Sequence, residues 1–271
     1  MKGLKIGLKL RKRLGQHLLV NEGVLARLVE YAEIGSNDTI LEAGAGLGNL
    51  TSLIAKRAGK VIAVEKDRRM AEILKRKFAG SNVEVIEGDI LKIKLPRFNK
   101  ILANIPYYIS SKFIILILNW NFDLAVLTLQ KEFAERLVAE PGTKEYGRLT
   151  VAVGRKMEVE ILEIISRNAF FPRPKVDSTV VRLKPKLDAA NVDEMLFEEI
   201  TRGLFNQRRR KLQTVLLNFL VKKYGGVGKD IFASMDVPNK RVHETSIQEF
   251  ERLATQISAL ISTRLREKNV I

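Results

Sequence analysis

The segment Asn104-Ile105-Pro106-Tyr107 carries the strongest chemical signal in the chain. It follows an apolar run, Lys100-Ile101-Leu102-Ala103, that predicts a buried strand. An amide, a rigid proline and an aromatic at a strand end suit one task. They can hold a planar, weakly nucleophilic amino group, such as the exocyclic nitrogen of adenine, in front of an electrophile. Upstream lies a glycine-rich turn, Glu42-Ala43-Gly44-Ala45-Gly46-Leu47-Gly48. Missing Cβ atoms let a ligand approach backbone there, and the helix start that follows offers free N–H groups. Together the two segments predict alkylation of a base.

The turn also constrains the electrophile. Leu47-Gly48 follows the second glycine, so the spacing is not the pyrophosphate fingerprint G-x-G-x-x-G. An acid at Glu42 is awkward beside a diphosphate but comfortable beside a sulfonium or an ammonium. Glu65 closes the next predicted strand, where an acid binds ribose hydroxyls. Gly88-Asp89 closes the third, where a carboxylate can accept from an adenine amino group. Taken singly, each acid reads equally well as a strand-end cap or a turn residue. Taken together they point to S-adenosylmethionine, which has a ribose, an adenine and a positive centre but no phosphate.

These residues need strands to carry them. Strand-like runs are expected at Thr39–Ala43, Val61–Glu65, Val83–Glu87, Lys100–Ala103, Leu124–Leu129, Val159–Ile165 and Thr179–Leu183. The first four are short, apolar and β-branched, as in strands buried on both faces. Helical stretches such as Leu50–Ala58 and Arg68–Phe78 separate them, which argues a doubly wound sheet. The last two strands are expected to pair at the sheet edge. A first helix is expected after Asn21 as its cap, burying Val24, Leu25, Leu28 and Val29. Composition shifts near 184–192, and helices are expected at Val192–Phe205, Arg209–Val221 and Ile247–Arg264. The organisation is therefore a basic arm (1–13), a sheet domain (14–185) and a small helical domain (186–271).

The chain has 271 residues, with 47 Lys+Arg against 31 Asp+Glu and a formal charge of +16. Such an excess favours a polyanionic partner. Most of it lies in the first 185 residues. There is no cysteine, and two histidines, His17 and His243, are too few for a histidine-built metal site, so no metal is expected. The longest apolar run, Phe113 to Leu118, is far too short to span a bilayer. No signal-peptide pattern follows the basic N-terminus. A soluble, cytoplasmic and monomeric protein is expected.

The ordered set of motifs resembles a known family. It comprises Gly15-Gln16-His17-Leu18-Leu19, Glu42 to Gly48, Glu65, Gly88-Asp89, Asn104 to Tyr107, Gln130-Lys131-Glu132, Tyr146-Gly147-Arg148-Leu149 and Phe170 to Ser178. The chain is similar to ribosomal-RNA adenine dimethyltransferases that modify small-subunit RNA. The resemblance implies a class I Rossmann-like methyltransferase sheet of seven strands with a smaller C-terminal helical domain. It implies S-adenosylmethionine as cofactor, and N6,N6-dimethylation of two adjacent adenosines in a hairpin loop near the 3′ end of that RNA, in small-subunit biogenesis. Carried over residue by residue, it implies cofactor contacts at His17, Leu19, Gly44, Glu65, Asp89 and Asn104, beside Gly46 of the turn. Leu18 departs from the phenylalanine of many members. A sister group that methylates large-subunit RNA shares most sheet-domain motifs. Phe205 to Leu212 and Arg241 to Phe250 resemble the small-subunit enzymes more.

Within that frame Asn104 Oδ1 and the Ile105 carbonyl are expected to accept the two N6 hydrogens, with Pro106 fixing their angle. Tyr107 and Phe170 are expected to stack on the two faces of a base drawn out of its helix, and Phe171 to lie in the core. Phosphate contacts are expected at Arg11, Lys12 and Arg13, at Arg148, and at Arg208, Arg209, Arg210 and Lys211. Rival functions are an RNA-binding assembly factor, and methylation of DNA adenine or a protein amide, which share an Asn/Asp-Pro-Pro-Tyr type motif.

Overall fold

The computed structural model describes residue 11, residues 15–186 and residues 192–268, with side chains to residue 263. Two compact units emerge. One takes the chain to Ala134 together with Glu158–Pro185, and the other takes Glu135–Met157 with the chain from Lys186 onward.

The first unit is built on a seven-stranded sheet. Its strands are β2 (Thr39–Ala43), β3 (Lys60–Glu65), β4 (Val83–Glu87), β5 (Lys100–Asn104), β6 (Leu124–Gln130), β7 (Met157–Ile165) and β9 (Ser178–Pro185). They lie in the order β4-β3-β2-β5-β6-β9-β7. The first five pair in parallel, and β9 enters antiparallel beside β6. The order reverses beside β2, so β2 and β5 flank a crevice at their C-terminal ends, where open α/β sheets bind ligands. Ile40, Leu41, Val61, Ile62, Ile101 and Leu102 of the central strands are fully buried. That explains their unbroken apolar runs. β7 lies at the sheet edge beside β9, as the sequence predicts.

Helix α1 (Glu22–Tyr31) begins where expected, with Asn21 Oδ1 accepting from Val24 N at 3.0 Å. Its buried face, Val24, Leu25, Leu28 and Val29, meets Ile40, Leu102 and Phe170 in one core. Helices α2 (Asn49–Ile54) and α3 (Arg68–Lys77) follow β2 and β3, and α4 (Ser110–Ile117) follows β5. A separate two-stranded ribbon joins β1 (Leu18–Leu19) to β8 (Phe170–Phe171), pairing Leu18 with Phe171 and Leu19 with Phe170. Strands of two residues carry no periodicity, so the sequence does not announce them.

The second unit is helical. It contains α6 (Arg148–Lys156), α7 (Glu194–Phe205), α8 (Leu212–Tyr224), α9 (Gly226–Ala233) and α10 (Ile247–Lys268), while α5 (Lys131–Leu137) straddles the division. Phe250, Leu253, Ala254 and Ile257 of α10 fill its core, as their spacing predicts. Residues 135–157, assigned to the sheet domain from sequence, pack here instead. Tyr146 is buried and its hydroxyl donates to the Thr245 carbonyl at 2.8 Å. The buried Arg155 ion-pairs with Glu194 (2.7 Å) and Glu251 (3.3 Å), with its guanidinium 4.6 Å above the Phe197 ring. The expected helix from Arg209 starts only at Leu212. Arg208 to Arg210 form a turn and a bend, and Lys211 bridges to Arg241, because their backbone pairs elsewhere, as described below.

Candidate functional site

Four strand tips and the segment before β1 enclose one pocket in the first unit. Gly44, Gly46 and Gly48 all have positive φ (78°, 60° and 76°), a region closed to most side chains. A Cβ on Gly46 would lie 2.8 Å from Leu18 Cδ2, and one on Gly44 would lie 3.4 Å from Pro106 Cδ. The cradle after β2 is thus fitted to the ribbon on one side and to the tip of β5 on the other. Gly48 has a different reason: its missing Cβ admits Leu74 and Phe78 of the α3 region.

Two acids shape the pocket wall. Glu65 Oε2 accepts from Gly46 N (2.8 Å) and Oε1 from Asp67 N (2.7 Å). Burial nonetheless lifts its pKa above the ordinary carboxylate range. Glu42 is 2% exposed, and Thr51 Oγ1 donates to its Oε2 at 2.5 Å. Burial, with the charge of Glu65 second among the raising effects, pushes its pKa up to about 8. The first acid of the turn is therefore largely protonated at neutral pH when no cation faces it. Asp89 takes two donors, Lys66 Nζ at 2.9 Å and Leu91 N at 3.1 Å, and its pKa is lowered, first by Lys66. Lys66 lines the pocket too. Sequence reasoning passed over it, although its place directly after Glu65 was the available signal.

Asn104 is held from behind. Its Nδ2 donates to the His17 carbonyl at 3.0 Å, leaving Oδ1 as the acceptor. His17 is fixed in turn: its Nδ1–H donates to the Pro172 carbonyl at 2.6 Å, and its ring stacks on Tyr107 at 5.7 Å between centroids. Gln16 donates to Asp67 Oδ2 (3.2 Å), which also binds Arg69 (2.6 Å). These bonds, the Arg69 pair foremost, hold the Asp67 pKa down to about 2. Leu19 is buried in the core with Leu25 and Phe170, and its carbonyl accepts from Asn49 Nδ2 at 3.0 Å. His17, Leu19, Gly44, Gly46, Glu65, Asp89, Asn104, Ile105, Pro106 and Tyr107 all border the one pocket.

Phe170 does not. The two phenylalanines have exchanged their expected places. Phe170 is 4% exposed and packs in the core with Leu19 and Leu25, whereas Phe171 is 50% exposed. Alternation along a strand gives the reason: β8 pairs across β1, so one of two successive side chains faces the core and the next faces out. Tyr107 is also more constrained than expected. It shares a 2.6 Å hydrogen bond with Ser178 Oγ and has His17 against its ring.

The second unit displays the expected basic cluster on a built support. The carbonyls of Arg208 and Arg210 accept from His243 N (3.0 Å) and Val242 N (3.1 Å). The Arg209 carbonyl accepts from Arg241 Nη1 at 2.7 Å. Arg209 and Arg210 point into solvent, and Lys211 Nζ reaches Asn239 at 2.9 Å. Arg208 is only half exposed and donates to the Thr143 carbonyl at 3.1 Å. Arg148 is exposed at the start of α6. Arg11 lies 3.8 Å from Asp67, while Lys12 and Arg13 lie outside the described residues. Among the described residues no group of His, Cys, Asp and Glu is placed to hold a metal, and no helix is long and apolar enough to cross a membrane.

This geometry can be set beside known proteins. The model of the family "Ribosomal RNA adenine dimethylase" matches residues 7–255. A protein of Thermococcus onnurineus named "Probable ribosomal RNA small subunit methyltransferase A" is 44% identical over 255 residues, covering 92% of this chain and 93% of its own. Among solved structures, a dimethyladenosine transferase from Plasmodium falciparum superposes with a TM-score of 0.81 at 34% identity, covering 90% of this chain and 98% of that one. The 23S rRNA methyltransferase ErmE superposes with a TM-score of 0.66 at 29% identity, over 89% and 99%. With its seven-stranded Rossmann-like sheet, its strand-tip pocket and a match spanning nearly its whole length, the chain belongs to the ribosomal RNA adenine dimethylase family.

Proposed function

We propose that the protein uses S-adenosylmethionine to dimethylate N6 of two adjacent adenosines in a hairpin loop near the 3′ end of small-subunit ribosomal RNA. The observation that carries this is the orientation of Asn104. With Nδ2 spent on the His17 carbonyl, its oxygen is the atom left to accept from an adenine amino group. The higher similarity to a dimethyladenosine transferase than to the 23S enzyme favours the small-subunit substrate.

The residues fit the cofactor. Three glycines leave a cradle without Cβ atoms, two acids stand at the tips of β3 and β4, and a buried acid underlies the turn. Glu65 would hold the ribose hydroxyls, Asp89 the adenine amino group and Glu42 the positive end. When bound, S-adenosylmethionine supplies a methyl group made electrophilic by its sulfonium. Asn104 Oδ1 and the Ile105 carbonyl orient N6 and favour the positive charge it acquires as its bond to the methyl carbon forms. The nitrogen, now cationic and strongly acidic because its lone pair is no longer shared with the ring, releases a proton to water. Tyr107 offers a ring to the extruded base, braced by Ser178 and His17.

Arg11, Arg148, Arg208, Arg209, Arg210 and Lys211 supply sequence-independent phosphate contacts, Arg208 while also holding the Thr143 carbonyl. The partner is then the assembling small subunit, and the cytoplasm is where the work is done. Label from methyl-tritiated S-adenosylmethionine, offered ribosomal small subunits, large subunits, duplex DNA and protein, should enter small-subunit RNA. Entry into large-subunit RNA would favour the 23S specificity, and entry into DNA or protein would remove the proposal.

A further inference from the structure

Two adjacent tyrosines follow Pro106 and take different surroundings. Tyr107 is held by Ser178 and His17. Tyr108 remains 52% exposed at the border of the same pocket, and among the described residues its hydroxyl makes no hydrogen bond. Its ring occupies the space beside Gly15, where a Cβ would come within 3.1 Å of Cδ1. Gly15 has a φ of 56°, so the strap before β1 turns at the point where it passes this ring. Lys66, the partner of Asp89, borders the same pocket. Tyr108 therefore stands among the groups that serve the cofactor, while Tyr107 stands among those that serve the base.

We propose that Tyr108 is a cofactor-positioning residue: its ring closes over the adenosyl group held between Glu65 and Asp89 and takes no part in gripping the target adenine. This rests on the S-adenosylmethionine assignment above. A half-exposed aromatic ring at a pocket mouth gains apolar contact when a purine nucleoside enters. Nothing in that contact depends on the sulfonium, so the methylated cofactor and its demethylated product gain equally.

The test is calorimetric titration of S-adenosylmethionine and S-adenosylhomocysteine into the wild type, Y108A and Y108F, with unfolding midpoints as a check on folding. Y108A should weaken both ligands by about tenfold, the scale of one lost aromatic contact. Y108F should stay within about twofold of wild type, because the phenol has no partner to lose. RNA affinity should not change. Equal binding by wild type and Y108A would overturn the proposal. So would a loss confined to S-adenosylmethionine, which would place the ring on the sulfonium. A loss of RNA affinity with cofactor binding intact would overturn it by assigning the ring to the base. Failure of the wild type to bind either ligand is a separate outcome: it would remove the cofactor assignment itself and this inference with it.

Discussion

The strand-tip pocket and the basic segment at 208–211 are both loops with chemistry on them, but they are held in different ways. At the pocket each loop hangs from its own strand, and its bonds run to the next tip: Gly46 to Glu65, Gly44 and Ala45 to the Val64 carbonyl. The basic segment has no regular element of its own. The carbonyls of Arg208, Arg209 and Arg210 are taken up by residues 241–243, some thirty positions later. A strand tip is thus placed by local sequence, and the basic segment by a remote stretch of backbone. Substitutions should separate the two regions accordingly.

The largest effect is expected at the ribbon that closes the pocket. Phe170→Ala should cost about 3–5 kcal/mol of stability by emptying a core position, and Phe171→Ala should fall within about 0.5 kcal/mol of wild type. Denaturant unfolding checks both, and a reversed order would undo the placement of the two rings. Next comes Asn104→Ala, which should slow methyl transfer by about 10²–10³-fold in single turnover while leaving unfolding unchanged. A loss under about tenfold would mean that Oδ1 is not the acceptor.

Glu42 sets a pH dependence in the cofactor-free protein. Between its ordinary value of 4.5 and about 8, the folded protein keeps a proton that the unfolded chain has released. Raising pH through that window therefore lowers stability, and the loss is complete above about 8. Glu42→Gln has no proton to lose and should show a flatter profile in denaturant unfolding from pH 4.5 to 9. Parallel profiles would show that the buried acid ionises normally. The smallest effect belongs to the second unit. Replacing Arg209 and Arg210 by glutamine should lower the salt dependence of RNA binding by about one to two in log–log slope, without touching cofactor affinity. Arg241→Ala should add a loss of local order that hydrogen exchange would detect, because the Arg209 carbonyl then loses its donor.

The central strands were legible because buried parallel strands are continuous apolar runs, and the pocket residues were legible because they follow such runs. Glycines 44, 46 and 48 signalled a close approach of backbone through their type, and the structure adds that all three have positive φ. What sequence did not carry was direction. Phe170 and Phe171 are the same residue type at successive positions, and only the pairing of β8 with β1 decides which one is buried. Residues 135–157 follow the sheet strands in order, yet Tyr146 finds its partner in the turn before α10, and Arg155 finds its partners on α7 and α10, all of them far along the chain. The helix expected from Arg209 failed for the same reason, since a pairing with residues 241–243 outcompetes helical bonds.

The most direct measurement is nucleoside analysis of small-subunit RNA after incubation with S-adenosylmethionine and either wild type or Asn104→Ala. N6,N6-dimethyladenosine should accumulate with the wild type, at two adjacent positions near the 3′ end, and be nearly absent with the variant. Dimethyladenosine formed equally by both, or a methylated product other than an N6 adenine, would contradict a site in which the tip of β5 presents the amino group to the cofactor.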